Sequence, residues 1–185
     1  MAIRKDFGFI GRLCLDFAQT GDMGWGKKFE RLTTPAALQR WMSLSPFGFP
    51  RVQIRSADLT LAKVLRSAIW RTAVAMIARK SPSRADVSVL NRVACAPGLI
   101  RNLNPGAKSI RWRSPTIRGA LAVIAQDAVL LFGDAVQRKR LRRCNNPRCI
   151  VIFYDDSRPG RRRWCAPNRC GDRIRAKTYR ERHRS

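Results

Sequence analysis

The chain has 185 residues, 45% of them apolar, with a formal net charge of +26 and a pI near 11.6. That length suits one ordinary domain plus a small module, and the charge points to a polyanionic partner, nucleic acid first. No stretch reaches the ~18–20 apolar residues of a membrane span. A single histidine, no Walker motif and no Ser/His/Asp or Cys/His set argue against an enzyme.

Met1 to Asp6 leads into no long apolar run. No secretory leader is therefore expected, and the protein is placed in the cytoplasm. Phe7 to Thr20 opens with apolar residues and ends in a helix with Leu13, Cys14 and Phe17 on one face. Asp16 falls among these residues. A carboxylate there needs a partner such as an arginine, or lines a pocket, unless it caps a turn or is solvated. Thr20 to Gly26 is a loop by its glycines, and lacks the ending of a phosphate loop. Thr34-Pro35 is an N-cap followed by proline at the first helical position. It predicts a helix over Pro35–Leu44 with Leu38, Trp41 and Met42 inward.

Ser56 to Lys80 reads as a long helix with Leu59, Ala62, Leu65, Ile69, Ala73, Met76 and Ile77 on its buried face. Arg66 and Arg71 fall off that face and read as solvated, or as pocket-lining. Asp16 and Arg66 are the candidate ligand-binding residues. Ser83 with Asp86 resembles a capping box and starts a helix carrying Val87, Leu90 and Val93. Leu99–Leu103 and Ser109–Arg113 flank Asn104-Pro105-Gly106 and predict a hairpin. A further long helix follows, about Thr116 to Gln137, with Ile117, Leu121, Ile124, Ala128, Leu131, Phe132 and Ala135 buried. Gly119 and Gly133 within it are tolerated or mark close packing. Cys14 and Cys95 are expected as buried core thiols. Residues 1–137 thus form a mainly α-helical domain with a small β-hairpin.

Gln137–Arg143 (QRKRLRR) changes the composition abruptly and is expected to be a rigid, helical connection. Residues 138–185 hold 17 Lys/Arg against 4 Asp/Glu, half of the net charge in about a quarter of the chain. Within them Cys144-x4-Cys149 and Cys165-x4-Cys170 form two matched pairs. Two tight turns presenting two thiolates each suit one tetrahedral Zn²⁺. Four thiolates leave no open position, so such a site is structural. Two disulfides, disfavoured in a reducing compartment, or four unrelated buried cysteines are the alternatives. Ile150 to Tyr154 suits a strand, Asp155 to Gly160 a turn, and Arg161 to Trp164 a returning strand or loop. Trp164 is expected to pack on the metal site. Asp172 can cap a basic helix with Arg173, Lys177, Arg180 and Arg184 on one face and Arg175 and Arg182 near the other. His183 belongs to that helix rather than to the metal.

These residues carry a family resemblance. Trp164-Cys165, Cys170-Gly171-Asp172-Arg173, Lys177, Tyr179, Arg180 and Arg182, with Phe153 to Arg163 before them, resemble the CGNR-type zinc finger. Leu13 to Thr20, Glu30-Arg31-Leu32 and Thr34 to Trp41 resemble the ABATE domain joined to it. The resemblance implies a bacterial, stress-linked transcription regulator. Its helical N-terminal domain would sense a ligand or form a homodimer. Its four-cysteine zinc finger, with β-hairpin and basic helix, would bind DNA. Two positions depart from the family pattern: Asp172 stands where Asn is usual, and so does Gln19.

Double-stranded DNA is accordingly the expected partner, with Arg158, Arg161, Arg162, Arg163, Arg173, Arg175, Lys177, Arg180, Arg182 and Arg184 as the contacting residues. An RNA-binding zinc protein and a redox-responsive zinc interaction module are the alternatives. The absence of an exposed aromatic run weighs against single-strand stacking.

Overall fold

Residues 10–22 and 29–183 are described by a computed structural model. Residues 1–9, most of the glycine loop (23–28), Arg184 and Ser185 lie outside them. Each main helix begins where a side chain can take an orphan amide. Thr34 Oγ1 accepts Ala37 N–H (3.1 Å) ahead of α2, Pro35–Leu44. The Asp58 carboxylate accepts the Arg55 backbone N–H (2.9 Å) at the start of α3, Ser56–Ile77. Ser83 Oγ accepts Asp86 N–H (3.1 Å) ahead of α4, Arg84–Ala94, and Thr116 Oγ1 accepts Gly119 N–H (3.0 Å) ahead of α5, Ile117–Gly133. A short α1, Leu13–Ala18, precedes them.

The core lies where α5 packs on α1 and α4, and all three pack on α3. Leu38, Trp41 and Met42 of α2 are fully buried, as are Leu65 and Ile69 of α3 and Leu121, Ile124 and Leu131 of α5. Phe17 meets Trp41 with ring centroids 5.0 Å apart. Gly119 is a packing position: a Cβ there would sit 3.2 Å from the Pro97 carbonyl. The expected hairpin forms from β1, Ile100–Leu103, and β2, Ile110–Arg113, paired antiparallel with Ile100 opposite Arg113. It is held to the domain by Arg101, whose guanidinium stacks on Phe47 and Trp112.

Several expectations change. Val87 is 37% exposed and outside the core. Cys95, at the end of α4, is exposed, while Cys14 is fully buried. Arg66 and Arg71 are paired rather than simply solvated. Arg66 donates to both Glu30 carboxylate oxygens (2.7 and 2.6 Å) and to the Thr20 carbonyl, pinning the loop to α3. A Cβ on Gly21 would fall 2.7 Å from the Arg66 side chain, so a larger residue there would displace the guanidinium from Glu30. Arg71 joins α3 to α4 through Asp86, whose carboxyl the guanidinium's hydrogen bonds hold below its usual range despite burial.

The long helix expected to run to Gln137 stops at Gly133. Asp134 is extended, and its side chain accepts Val136 and Gln137 N–H to start α6, Ala135–Arg138. The junction does not continue as a helix to Arg143. The chain turns at 139–140 and enters β3, Leu141–Arg143, which pairs antiparallel with β4, Ile152–Tyr154. The partner of β4 is therefore β3, not residues 161–164. Burial supplies the reason: Leu141 and Ile152 sit in the helical core, and Tyr154 packs against it. A helix through Leu141 would offer no edge to the 152–154 segment.

Asp16 is buried, and its partner is a backbone amide: it accepts Ile10 N–H at 2.6 Å. Arg12, four residues before it, pairs with Asp127 instead. Burial pushes the Asp16 carboxyl up to about 7, with Asp127 adding to it and the Ile10 and Gly11 amides opposing. A carboxyl raised in the folded state is favourable when protonated, and that contribution is lost as pH rises from its ordinary value, near 4, through about 7. Asp16→Asn keeps an acceptor for Ile10 N–H without the charge. It should raise the Tm at pH 8 by about 5 °C and change it little at pH 4. Thermal melts at the two pH values check this, and equal shifts at both would overturn it.

Candidate metal centre and nucleic-acid interface

Two turns carry the cysteines. In the first, buried Asn146 accepts Arg148 N–H on its side chain (3.0 Å) and Cys149 N–H on its carbonyl (2.8 Å), which folds Cys149 back beside Cys144. In the second, the Ala166 carbonyl collects the amides of Arg169, Cys170 and Gly171, forming a π turn over Pro167–Gly171. The turns are joined by Asn145 N–H donating to the Arg163 carbonyl (2.9 Å).

The four sulfurs all lie within 4.8 Å of one another. Cys149–Cys165 and Cys165–Cys170 are each 3.7 Å apart. Four ligands at the Zn–S distance of ~2.3 Å, tetrahedrally placed, lie about 3.8 Å from each other. The cysteines are free, not disulfide-bonded. Phe153, fully buried, covers the cluster together with Ile10 and Trp164. Cys144, Cys149, Cys165 and Cys170 thus fit one structural Zn²⁺ with no open coordination position. The cluster's own electrostatics call for a cation. The Cys149 thiol is pushed down to about 5, chiefly by its hydrogen bond with Cys165, while that contact and burial push Cys165 up. One thiolate forms easily among the four, and further ones repel it.

The loop between β4 and the second turn is organised by Asp155, which is fully buried. Its carboxylate accepts the Ser157 amide and hydroxyl (3.1 and 2.6 Å) and Arg162 N–H (2.9 Å). Burial alone would raise its pKa; these bonds outweigh it and hold the carboxyl low. Arg162 is built into the fold. It donates to the Trp164 and Cys165 carbonyls, pairs with Asp156 (3.2 Å) and lies over the Phe153 ring. Arg158, Arg161 and Arg163 are exposed, Arg163 over Trp164.

After the π turn comes α7, Asp172–Arg182. Its N-cap is Gly171, already helical, rather than Asp172: the π turn runs straight into the helix and leaves no extended residue to cap it. The Asp172 carboxylate bonds Arg175 instead. No residue of α7 is buried. Arg173, Lys177, Arg180 and Arg182 are exposed, Lys177 within 3.5 Å of Glu181. His183 stacks on Tyr179 (4.1 Å), away from the metal cluster. Arg169, exposed in the turn between two ligands, joins this surface. Its position between Cys165 and Cys170 was the available sequence signal. Asp16 and Arg66 form no shared site: Glu30 occupies the Arg66 guanidinium, and Asp16 faces the Ile10 amide.

The model of the ABATE family, described as a putative stress-induced transcription regulator, matches residues 11–135. The chain belongs to the ABATE family. The CGNR zinc finger model matches residues 140–183, which include all four ligands and α7. No curated protein matches the chain. No helix among the described residues is long and apolar enough to cross a membrane.

Cys165→Ser removes the sulfur nearest to two others. It should weaken zinc binding roughly a hundredfold or more, since one of four ligands carries about a quarter of the ~10–16 kcal/mol typical of such sites. A competitive chelator titration of purified protein measures this. Stoichiometric zinc at unchanged affinity in the variant would exclude Cys165 as a ligand.

Proposed function

We propose that this ABATE-family protein is a non-enzymatic transcription regulator that binds double-stranded DNA through α7 and the arginines around the metal centre. The observation that carries the proposal is a helix with no buried residue held at its start by four cysteines. Such a helix gains nothing from a core, so its purpose lies on its exposed side. Eleven residues span about 16 Å, enough to cross the ~12 Å major groove. Arg173, Lys177 and Arg180 lie on one stripe of that helix and suit phosphate oxygens or base edges. Asp172 does not cancel them, because its charge is taken up by Arg175.

The test is duplex binding by the zinc-loaded protein across a salt series. Replacing Arg173, Lys177 and Arg180 by Ala should lower the salt slope by about 2.7, at ~0.9 per phosphate contact. Unchanged binding by the triple variant, or a preference for RNA over duplex DNA, would sink the proposal.

The helical domain has the sensing part in this reading. A cavity of about 300 Å³ lies between α3 (Trp70, Val74, Ile77) and the finger (Arg143, Ile150, Ile152). A small apolar molecule with one anionic group would fill it, its anion meeting Arg143, and would bear on both domains at once. The probe is anilinonaphthalene sulfonate, whose fluorescence should rise on binding. Val74→Trp, filling the space, should abolish the rise while zinc content stays intact. A rise of equal size in the variant would remove the cavity from the proposal.

A further inference from the structure

A second basic surface lies where the two domains meet. It is an open trough of about 870 Å³ walled by the end of α3, by α6 and by β3 with the first cysteine turn. Arg79, Lys80, Arg138, Lys139, Arg142 and Arg143 line it, and no Asp or Glu does. These six cations come from two segments remote in sequence, Arg79 and Lys80 at the end of α3 and the other four from the run 138–143. The fold brings the two segments together: Arg79 adopts a left-handed backbone (φ 56°) that stops α3, and Lys80 N–H closes the turn on the Ala75 carbonyl (2.8 Å). Arg138 and Arg142 are held in place by carbonyls, Arg138 by Phe132 (2.6 Å) and Arg142 by Lys139 (2.6 Å). Arg79, Lys80, Lys139 and Arg143 are exposed.

Packing six like charges together opposes folding unless a polyanion neutralises them. The trough is also continuous with the metal centre. Arg143 and Asn145 line it and flank Cys144, while α7 starts two residues after Cys170, whose sulfur lies within 4.8 Å of Cys144's. Both basic surfaces are therefore anchored on one rigid cluster.

We infer that this inter-domain trough is a docking surface for the phosphate backbone of the same duplex that α7 engages. The inference rests on the DNA-binding proposal above. It makes the helical domain, through Arg79 and Lys80, a direct part of the DNA interface. The trough carries no base-reading requirement. Its cations contribute affinity and register, and α7 contributes sequence preference.

The experiment uses full-length, zinc-loaded protein and three variants: Arg79→Gln/Lys80→Gln in the trough, Arg92→Gln/Arg118→Gln as an equal charge change elsewhere on the helical domain, and the α7 triple variant. Binding is measured on specific and unrelated duplexes across salt. The trough variant should lower the salt slope by about 1.8 and weaken both duplexes by the same factor, roughly tenfold; the control pair should change little. Equal effects of the trough and control pairs, with binding lost in the α7 variant, would overturn the inference and leave the α7 reading standing. Unchanged binding in all three variants would overturn both. Loss of inorganic polyphosphate binding by the trough variant, with duplex binding intact, would make the trough a small-polyanion site and also overturn the inference.

Discussion

The pleat of β4 is the constraint on which the two-domain arrangement depends. Successive side chains of a strand point to opposite faces. Ile152 and Tyr154 therefore face the helical domain, and Phe153 faces the cysteine cluster. Three consecutive residues bury one face in each hydrophobic core. With Leu141 supplied by the paired strand, the finger is not tethered by a loose linker: its first hairpin is part of the packing of α1 and α3. A one-residue slip of register would place Phe153 in the helical core and expose the sulfurs, so the pairing of Leu141 with Tyr154 is strongly specified.

Metal and hairpin divide the work of holding the finger. The hairpin fixes where Cys144 emerges, because Cys144 follows β3 directly and its N–H donates to the Val151 carbonyl (3.0 Å). The second turn has fewer ties: the Arg163 carbonyl accepts Asn145 N–H (2.9 Å), and Arg162 donates to the Trp164 and Cys165 carbonyls. Residues 161–164 form no strand, and α7 buries nothing. Four sulfur–metal bonds would add to these ties in holding Cys165, Cys170 and the start of α7 against the first turn. The helical domain sets the position of one half of the finger, and the metal sets the other half relative to the first. Anything that shifts β3 and β4 on α3 thus moves α7 as a rigid extension.

Much of this was legible in the sequence, and the misses have physical causes. Capping residues announced α2 and α4, and the apolar spacing gave most of the buried stripes of α3 and α5, although Ala135 is exposed beyond the end of α5. The cysteine pairs gave the metal centre, because ligand spacing is a local property. What failed was non-local. The basic run Gln137–Arg143 looks helical by propensity, yet Leu141 is drawn into the helical core and the segment becomes a strand. Arg162 looked like its neighbours Arg161 and Arg163. Only the Asp155-centred loop shows that its guanidinium is spent on carbonyls and on Phe153. Arg66 gave no sign of Glu30, thirty-six residues away.

The same distinction bears on Asp172, where the family pattern has Asn. Read as a string, a carboxylate at the start of a basic helix would repel phosphate. In the fold it sits one turn from Arg175, which bonds it. The pair is locally neutral, and it lies in the first turn, where the helix dipole favours negative charge. The exchange therefore costs the basic side of α7 little: Arg175 is withdrawn from it together with Asp172, while Arg173, Lys177 and Arg180 keep their exposed positions. Charge counted along the chain overstates the number of cations available to a partner. The useful measure is which of them the fold leaves exposed and clustered, as it does with Arg173 and Arg180 on α7 and with Arg79, Lys80, Lys139 and Arg143 in the inter-domain trough.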